Sequence, residues 1–314
     1  MSKSNSTKRL MLSVVVPAYN EEQSLPILVG RLNQTFEENK IRGEIIIVDD
    51  GSMDETGKIA DELSRKYDDV KVFHHRRRRE KTAALLTGFQ NSYGDILAII
   101  DADLQYDSED LPKFLEKIEQ GYDVVNGWRK HREDSIFKKI PSIFYNIITR
   151  ISFGLALHDY NSGFKVLRRE VFEDINPKMG QHRFILVLAH HKGYRVGEVV
   201  VQHFQRKYGK TKFGRSRLIL GLLDLVSLKL QLTFMERPMV LFGTLGFVLF
   251  LLGFFFGMQV IVWNLFYGEA FSLHFARLLL ATMLVIAGVQ SFLFGFIADM
   301  IANIRTEKYH NNTF

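Results

Sequence analysis

The sequence predicts an α/β domain with a mostly parallel sheet, followed by a membrane anchor of two helices. Two observations support this fold class. Short β-branched apolar runs alternate with helix-like segments between residues 12 and 127, and two long uncharged apolar stretches follow residue 236. Alternation of strands and helices is typical of a parallel sheet covered by helices on both faces. The chain of 314 residues is long enough for both parts.

Five apolar runs are the predicted strands, and four helix-like segments connect them. The predicted strands are residues 12–16, 44–48, 70–74, 96–100 and 122–126. The predicted helices are residues 22–37, 54–67, 81–92 and 108–120. Ligands of such sheets bind at the carboxyl ends of the strands. We therefore expect the functional residues in the segments that directly follow the strands.

The two apolar stretches near the C-terminus are the predicted membrane spans. Residues 239–263 and 278–298 contain no charged side chain. A helix of 21 residues is about 31 Å long, and the hydrocarbon core of a bilayer is about 30 Å thick. The alternative is a buried helical hairpin of a soluble protein, which rarely has apolar helices of this length.

The charges that flank the spans predict their orientation. The connecting loop, 264–275, contains Glu269 and no Lys or Arg, although Arg277 at the start of the second span weakens this asymmetry. The flanks on the other side carry the basic residues Lys229, Arg237, Arg305 and Lys308. By the positive-inside rule, the loop lies outside and both termini lie in the cytosol. This makes the chain a multi-pass protein of the cytoplasmic membrane with its N-terminal domain in the cytosol.

Two further segments combine an apolar stripe at helical spacing with basic residues. They are residues 136–157 and 215–235, and each is either an interfacial helix in the headgroup plane or an ordinary core helix. The second leads directly into a span, which favours the interfacial reading. We expect a cytosolic domain over 1–214, a juxtamembrane helix over 215–235 and a membrane domain over 236–314 with spans at about 239–263 and 278–301.

Acidic residues cluster at the ends of three predicted strands. They are Glu21 after the first, Asp49 and Asp50 after the second, and Asp101 and Asp103, followed by Gln105, after the fourth. Carboxylates on one edge repel each other unless a cation or hydrogen-bond donors compensate them. Oxygen ligands of this kind suit Mg²⁺ or Mn²⁺, which also bind substrate phosphates. An isolated Asp-x-Asp is common in turns, but this one faces a second acidic strand end.

Composition excludes several other classes of site. The chain has no cysteine, so disulfides and cysteine-bound zinc are ruled out. It contains neither a G-x-G-x-x-G fingerprint nor a P-loop, and its adjacent histidine pairs, 74–75 and 190–191, lack the spacing of metal ligands and are expected to be structural. The net charge of +6 includes a basic run at 76–79, but no nucleic-acid-binding motif accompanies it. We expect no nucleic-acid partner.

The sequence resembles family 2 glycosyltransferases of the GT-A fold, and most of all the polyprenyl- and dolichyl-phosphate sugar synthases. The motifs that carry the resemblance are PAYNEE (17–22), EIIIVDDGSMDET (44–56), GDILAIIDADLQ (94–105), GYDVVNGWR (121–129), HDYNSGFKVLRR (158–169), HRF (182–184) and QRKYGKTKFG (205–214). Their order and the two spans that follow extend the resemblance over nearly the whole chain. It implies transfer of one hexose, with inversion, from a nucleotide-sugar to a polyprenyl phosphate, undecaprenyl or dolichyl, at the cytoplasmic membrane face.

The resemblance also implies roles for individual residues. The nucleotide-sugar is expected at Pro17, Tyr19, Glu21, Val48, Asp50, Lys81, Asp101, Ala102, Asp103 and Arg129. A Mg²⁺ or Mn²⁺ ion is expected at Asp101, Asp103 and Gln105, and phosphate groups of donor or acceptor at Arg206 and Lys212. Asp159 matches the acceptor-side carboxylate and, with Asp103 and Arg129, is expected to be catalytic. Whether Asp159 abstracts a proton or only positions the acceptor stays open, and a cap of a helix or turn is its alternative role.

Departures from the family pattern define the alternatives. The Arg-Asn-x-Gly-Lys pattern of the family is replaced by Arg77-Arg78-Arg79-Glu80-Lys81, which leaves the conformation of that loop open. The Gln-x-x-Arg-Trp pattern of processive synthases is also incomplete, because Gly180 replaces the glutamine. A processive polysaccharide synthase and a non-catalytic membrane scaffold are the competing interpretations. A UDP-hexose is the favoured donor and GDP-mannose the alternative. The glycines of the first span, Gly243, Gly246, Gly253 and Gly257, would permit close helix packing in a homo-oligomer.

Overall fold

The computed structural model describes residues 11–131, 136–178, 180–208, 217–234 and 238–311. The chain divides into two compact units, Met1–Leu218 and Ile219–Phe314. The first contains a seven-stranded sheet with helices, and the second contains the apolar helices.

The sheet of the first unit is mostly parallel, as the sequence predicted. Its strands are β1 (Leu12–Ala18), β2 (Gly43–Asp49), β3 (Val70–His74), β4 (Ile96–Ile99), β5 (Val124–Trp128), β6 (Lys165–Arg168) and β7 (Val196–Val200). Their order across the sheet is β3-β2-β1-β4-β6-β5-β7. Strand β6 runs antiparallel to both of its neighbours, and all other pairs are parallel. The carboxyl ends of β1, β2 and β4 therefore meet on one edge.

Seven helices accompany the sheet in the described part of this unit. They are α1 (Leu25–Glu38), α2 (Thr56–Lys66), α3 (Glu80–Gln90), α4 (Leu111–Glu119), α5 (Ile136–Phe153), α6 (Arg169–Ile175) and α7 (Ile185–His191). In α1, the buried residues Leu25, Leu28, Leu32 and Phe36 recur at helical spacing and pack on the sheet. The helix begins later than predicted because residues 21–24 form a turn, in which the backbone N–H of Leu25 donates to the carbonyl of Glu21 at 2.9 Å.

In its described part, the second unit contains α9 (Pro238–Tyr267), α10 (Phe275–Asn311) and most of α8 (Arg217–Phe234). Within the described residues, two helical stretches are long and apolar enough to cross a membrane, Pro238–Tyr267 and Phe271–Ile301. They contain both predicted spans. Helices α9 and α10 pack directly on each other, and the hydroxyl of Ser291 donates to the carbonyl of Phe242 at 2.9 Å.

Candidate active site

The edge formed by the ends of β1, β2 and β4 brings the predicted acidic residues together. Ala18 at the end of β1 lies beside Asp49 at the end of β2, and the backbone N–H of Asp50 donates to the carbonyl of Ala18 at 2.8 Å. Val15 of β1 pairs with Ile99 of β4, so the segment 100–105 leaves the sheet next to the end of β1. Parallel pairing alone aligns these ends. Pro17, Val48 and Ala102 form the largely apolar frame of this edge.

Asp103 lies buried at the centre of the site and is paired with an arginine from a distant segment. One guanidinium nitrogen of Arg206, Nη2, donates to Oδ2 of Asp103 at 2.6 Å and lies 3.6 Å from Oε1 of Glu21. Burial and the negative charge of Asp101 raise the pKa of Asp103, and the ion pair with Arg206 opposes this shift. For Arg206, burial lowers the pKa, but the carboxylates of Asp103 and Glu21 outweigh it and the net shift is upward.

Asp101 lies beside Asp103 and contacts a different cation. Nζ of Lys81, at the start of α3, donates to Oδ1 of Asp101. Gly163 lies on the other side of this carboxylate, and a Cβ atom at Gly163 would stand 2.2 Å from Oδ2 of Asp101. Any other residue at position 163 would displace the carboxylate, so the glycine of the NSGFK segment sets the position of Asp101.

The two carboxylates fit a divalent cation. Their mutual repulsion, which contributes to the raised pKa of Asp103, is the kind of strain that a bound Mg²⁺ or Mn²⁺ relieves. Within the described residues no group of three or more His, Cys, Asp or Glu side chains could hold a metal, so the two carboxylates would act together with waters or substrate phosphates. The side-chain amide of Gln105 donates to the carbonyl of Phe204 at 3.3 Å, which leaves its oxygen available as a ligand.

Arg129 and Asp159 form a bidentate ion pair beside this centre. Nε of Arg129 donates to Oδ2 of Asp159 at 2.6 Å, and Nη2 donates to Oδ1 at 2.9 Å. The backbone N–H of Asn161 also donates to Oδ1, at 3.1 Å. Both oxygens of Asp159 therefore accept hydrogen bonds, and two of these come from the charged guanidinium of Arg129.

Asp50 and Tyr19, which were predicted to bind the nucleotide, contact the loop that follows β3. Oδ1 of Asp50 accepts hydrogen bonds from the ring nitrogen Nδ1 of His75 at 2.7 Å and from the backbone N–H of Arg79 at 2.8 Å. The guanidinium of Arg78 lies 4.4 Å from the centre of the Tyr19 ring. The loop that departs from the family pattern thus folds back onto Asp50 and Tyr19, and Glu80 takes a positive φ of 69° at the start of α3.

Two further residues of the site have no predicted role in the sequence. His75 was expected to be structural, but it contacts Asp50. Lys165 on β6 is almost fully buried, and its Nζ donates to the carbonyl of Ser162. Burial, together with the charges of Lys81 and Arg129, lowers the pKa of Lys165 to about 7. The only sequence signal for Lys165 is a lysine within an apolar run, GFKVL, which does not distinguish it from a surface lysine.

Of the predicted site residues, only Lys212 lies outside the described residues. All others lie on or near the edge of β1, β2 and β4 or on the segments that contact it.

Comparison with known proteins agrees with this architecture. The family model described as "Glycosyl transferase family 2" matches residues 13–176. The chain belongs to glycosyl transferase family 2. The matched segment contains the strand ends with Asp50, Asp101 and Asp103, and also Asp159. This confirms the resemblance inferred from the motifs.

The matches to relatives and solved structures cover more of the chain than the family model does. The undecaprenyl-phosphate 4-deoxy-4-formamido-L-arabinose transferase of Pseudomonas fluorescens is 32% identical over 297 residues, which cover 94% of this chain and 86% of that protein. The mannosyl-3-phosphoglycerate synthase of Rubrobacter xylanophilus superposes with a TM-score of 0.56 at 16% identity, over 71% of this chain and 74% of that one. The Mycobacterium tuberculosis glucosyl-3-phosphoglycerate synthase, in complex with Mn²⁺, UDP-glucose and phosphoglyceric acid, superposes with a TM-score of 0.53 at 18% identity. This match covers 69% of this chain and 80% of that one. These two structures support the predicted GT-A fold.

Proposed function

We propose that this protein transfers one sugar from a nucleotide-sugar to the phosphate of a polyprenyl lipid, at the cytoplasmic face of a membrane. The observation that carries the proposal is the acidic edge: Asp101 and Asp103 lie side by side, each contacted by a cation, Lys81 or Arg206. Cations that already reach these carboxylates are well placed to bind a diphosphate beside them. The Pseudomonas fluorescens relative, named for transfer to undecaprenyl phosphate, supports the choice of acceptor.

The donor is proposed to bind with its base at Asp50 and its diphosphate at Asp101 and Asp103. A Mg²⁺ or Mn²⁺ ion held by these two residues, with the oxygen of Gln105, would neutralise the charge that develops on the leaving nucleoside diphosphate. Tyr19, with Pro17 and Val48 behind it, borders the base and ribose. Glu21 keeps Arg206 near the diphosphate through their 3.6 Å contact.

The phosphate of the lipid acceptor has to be oriented for attack, but it does not need a general base to remove a proton. A phosphate monoester has a second pKa of about 6, so most of it is dianionic at neutral pH and can attack without losing a proton. Asp159 is therefore proposed as a positioning residue that holds Arg129 by two hydrogen bonds. The guanidinium of Arg129 then aligns the phosphate for attack on the anomeric carbon opposite the leaving group. A single displacement of this kind inverts the anomeric configuration.

Helix α5 is proposed to bring the catalytic unit to the lipid surface. Ile143, Phe144, Ile147 and Ile151 on this helix are each at least half exposed, whereas Thr149 on the opposite side is buried. A helix with an exposed apolar stripe and basic residues is suited to the headgroup region of a bilayer. The two apolar helices of the second unit would anchor the chain, and the catalytic unit and both termini would lie in the cytosol.

The experiment that tests this function measures transfer to short-chain undecaprenyl phosphate from a panel of labelled donors. The panel contains UDP-hexoses, GDP-mannose and a UDP-pentose, because the relative's substrate is an arabinose derivative. Each donor is assayed with Mn²⁺, with Mg²⁺ and with EDTA. We expect metal-dependent label in the lipid fraction, with one sugar per lipid. A polymer on the lipid would point to a processive synthase, and no label from any donor would contradict the proposed acceptor.

The matched variants in this assay are Asp103→Asn and Asp107→Asn. The first removes a carboxylate charge from the proposed metal site. It is expected to reduce transfer by at least a hundredfold, because the loss of one strong electrostatic contact in an active site typically has an effect of this size. The second changes a carboxylate on the same segment that accepts a hydrogen bond from the backbone of Glu109. It should leave transfer unchanged. Full activity of Asp103→Asn would rule out the metal assignment.

A further inference from the structure

The carboxylate of Asp50 is engaged on one oxygen and open on the other. Oδ1 accepts two hydrogen bonds, from Nδ1 of His75 at 2.7 Å and from the backbone N–H of Arg79 at 2.8 Å. A carboxylate oxygen has two acceptor positions, so Oδ1 has no position left. Within the described part of the chain no residue donates to Oδ2. The Asp50 side chain is 6% exposed, and Oδ2 is the oxygen that remains for a ligand.

The side chain of His75 is fixed by its own contacts. Its Nε2 atom lies 2.9 Å from the hydroxyl of Thr87, and its backbone N–H donates to the carbonyl of Asp49 at 2.9 Å. The ring is buried, with 5% of the side chain exposed. Because a carboxylate only accepts hydrogen bonds, Nδ1 must carry the proton that it shares with Asp50. His75 therefore acts on a ligand through Asp50.

We propose that His75 is a positioning residue that leaves Asp50 a single acceptor, Oδ2, and thereby selects a uracil-type base over guanine. The proposal rests on the proposed function, in which Asp50 faces the base of the donor. Uracil presents one N–H, between two carbonyl groups, and one open oxygen satisfies it. Guanine presents two adjacent N–H groups, which need both oxygens of a carboxylate. Cytosine places a lone pair at the corresponding ring nitrogen, which repels Oδ2.

The size of the expected selectivity follows from the unpaired group. With Oδ1 filled, one N–H of guanine would be buried without an acceptor. Leaving a buried donor unsatisfied weakens binding by roughly tenfold to a hundredfold. This selectivity gives a physical reason for the uridine donor that the sequence analysis favoured over GDP-mannose.

The test measures binding of UDP, GDP and CDP to the full chain in detergent by calorimetry, in the presence of Mn²⁺. For the unmodified protein we expect UDP to bind at least tenfold more tightly than GDP or CDP. In His75→Leu, Oδ1 loses a donor and becomes available, so UDP binding should fall and the ratio of UDP to GDP affinity should move toward one. In His75→Asn, whose amide can replace Nδ1 as donor to Asp50, the ratio should be retained.

The matched control is His74→Leu, the same change at the neighbouring histidine. His74 contacts Asp49 and Asp61 and has no contact with Asp50 in the described structure, so the ratio should not change. Thr87→Val is a milder variant that removes only the partner of Nε2. It should shift the ratio in the same direction as His75→Leu and gives an answer if that variant does not fold.

Two results would overturn the inference. One is GDP binding as tightly as UDP to the unmodified protein. The other is loss of UDP and GDP affinity by the same factor in the variants, which would make His75 a merely structural residue. The transfer assay separates this failure from that of the proposed function. Selective UDP binding without a lipid product would refute the proposed acceptor but would not contradict base selection by His75. Transfer only from a GDP-sugar would refute base selection by His75 but would support the proposed acceptor.

Discussion

Asp159 and Arg129 hold each other by two hydrogen bonds, and only 4% and 10% of their side chains are exposed. Replacing Asp159 by Ala would leave a nearly buried guanidinium without its counter-charge, which typically costs about 3–5 kcal/mol. We expect the melting temperature of the catalytic unit to fall by on the order of 10 °C. The double variant Arg129→Met/Asp159→Leu should recover most of this loss, because both charges are removed.

Thermal unfolding followed by circular dichroism provides the measurement, and Asp174→Ala is the control. Asp174 forms an exposed ion pair with Lys192, and such pairs contribute only about 0–1 kcal/mol. Equal losses for Asp159→Ala and Asp174→Ala would show that the Arg129 pair is not structurally important. In that case a loss of transfer in Asp159→Ala would have to come from a direct contact with the acceptor.

Lys165 makes the stability of the protein depend on pH above about pH 7. Burial lowers its pKa to about 7 from 10.5. Between these values the unfolded chain binds a proton that the folded chain does not, so the contribution of Lys165 to the free energy of unfolding rises as pH increases from about 7 to 10.5. Below pH 7, both states are protonated and the buried ammonium destabilises the fold.

Lys165→Met removes this dependence. The stability of the variant relative to the unmodified protein should be greatest at pH 6 and should decrease steadily toward pH 9.5. Melting temperatures of both proteins across this range provide the measurement, and Lys40→Met, at an exposed lysine, is the control. A constant difference between Lys165→Met and the unmodified protein at all pH values would contradict a lowered pKa.

The acidic residues of the site could be predicted because they follow strands whose parallel pairing brings their ends together. Asp101 and Asp103 needed only a strand prediction and the geometry of parallel sheets. The cations that contact them could not be placed this way. Arg206 lies 103 residues after Asp103, and the contact depends on the path of the whole segment between them. His75 was interpreted as structural because adjacent histidines lack ligand spacing, a criterion that detects metal sites but not hydrogen bonds to a carboxylate.

At the level of elements, β6 and β7 were absent from the predicted sheet. Strand β6 has only four residues and runs antiparallel between β4 and β5, so neither length nor strand–helix alternation indicates it. Its pairing is decided by partners 39 or more residues away in sequence: Asn126 of β5 lies opposite Lys165, and Leu97 of β4 lies opposite Leu167. The first four strands and the two long apolar helices had strong local signals, and the sequence predicted them.

The α9–α10 hairpin depends on glycine at its crossing points. A Cβ atom at Gly246 would stand 2.6 Å from the carbonyl oxygen of Gly288, which is too close for any side chain. At Gly257 the nearest atom to such a Cβ is the Cβ of Ala281, at an ordinary 3.9 Å. Part of the glycine pattern considered for an oligomer is thus used within the hairpin of one chain.

These distances predict opposite outcomes for one substitution at two positions. Gly246→Ala forces the two helices apart and should destabilise the hairpin by about 1–3 kcal/mol, the usual cost of overpacking. Gly257→Ala should be tolerated. Resistance of the detergent-solubilised hairpin to proteolysis at increasing temperature distinguishes them. Equal resistance of both variants would mean that the helices do not pack through Gly246.

At the level of the whole molecule, the chain combines a charged catalytic unit with an apolar helical unit in one sequence. The average composition, 46% apolar and 24% charged, conceals this division, which only local reading of the chain detects. The solved structures superpose on about 70% of this chain, whereas the match to the Pseudomonas fluorescens relative covers 94% of it. A lipid acceptor explains why a catalytic unit and a membrane anchor occur in one chain. The reacting phosphate of such a lipid stays at the membrane surface, so the catalytic unit has to be held there as well.

The proposed topology makes the final prediction, which the absence of native cysteine allows to be tested directly. Ser272→Cys places a thiol on the exposed short helix Phe271–His274, which lies between the spans predicted from the sequence at 239–263 and 278–301. Glu37→Cys places a thiol on the exposed face of α1. With the catalytic unit in the cytosol, a membrane-impermeant maleimide should label Ser272→Cys in spheroplasts. It should label Glu37→Cys only after the membrane is permeabilised. Labelling of both before permeabilisation, or the reverse pattern, would place the site on the outer face, where cytosolic nucleotide-sugars do not reach it.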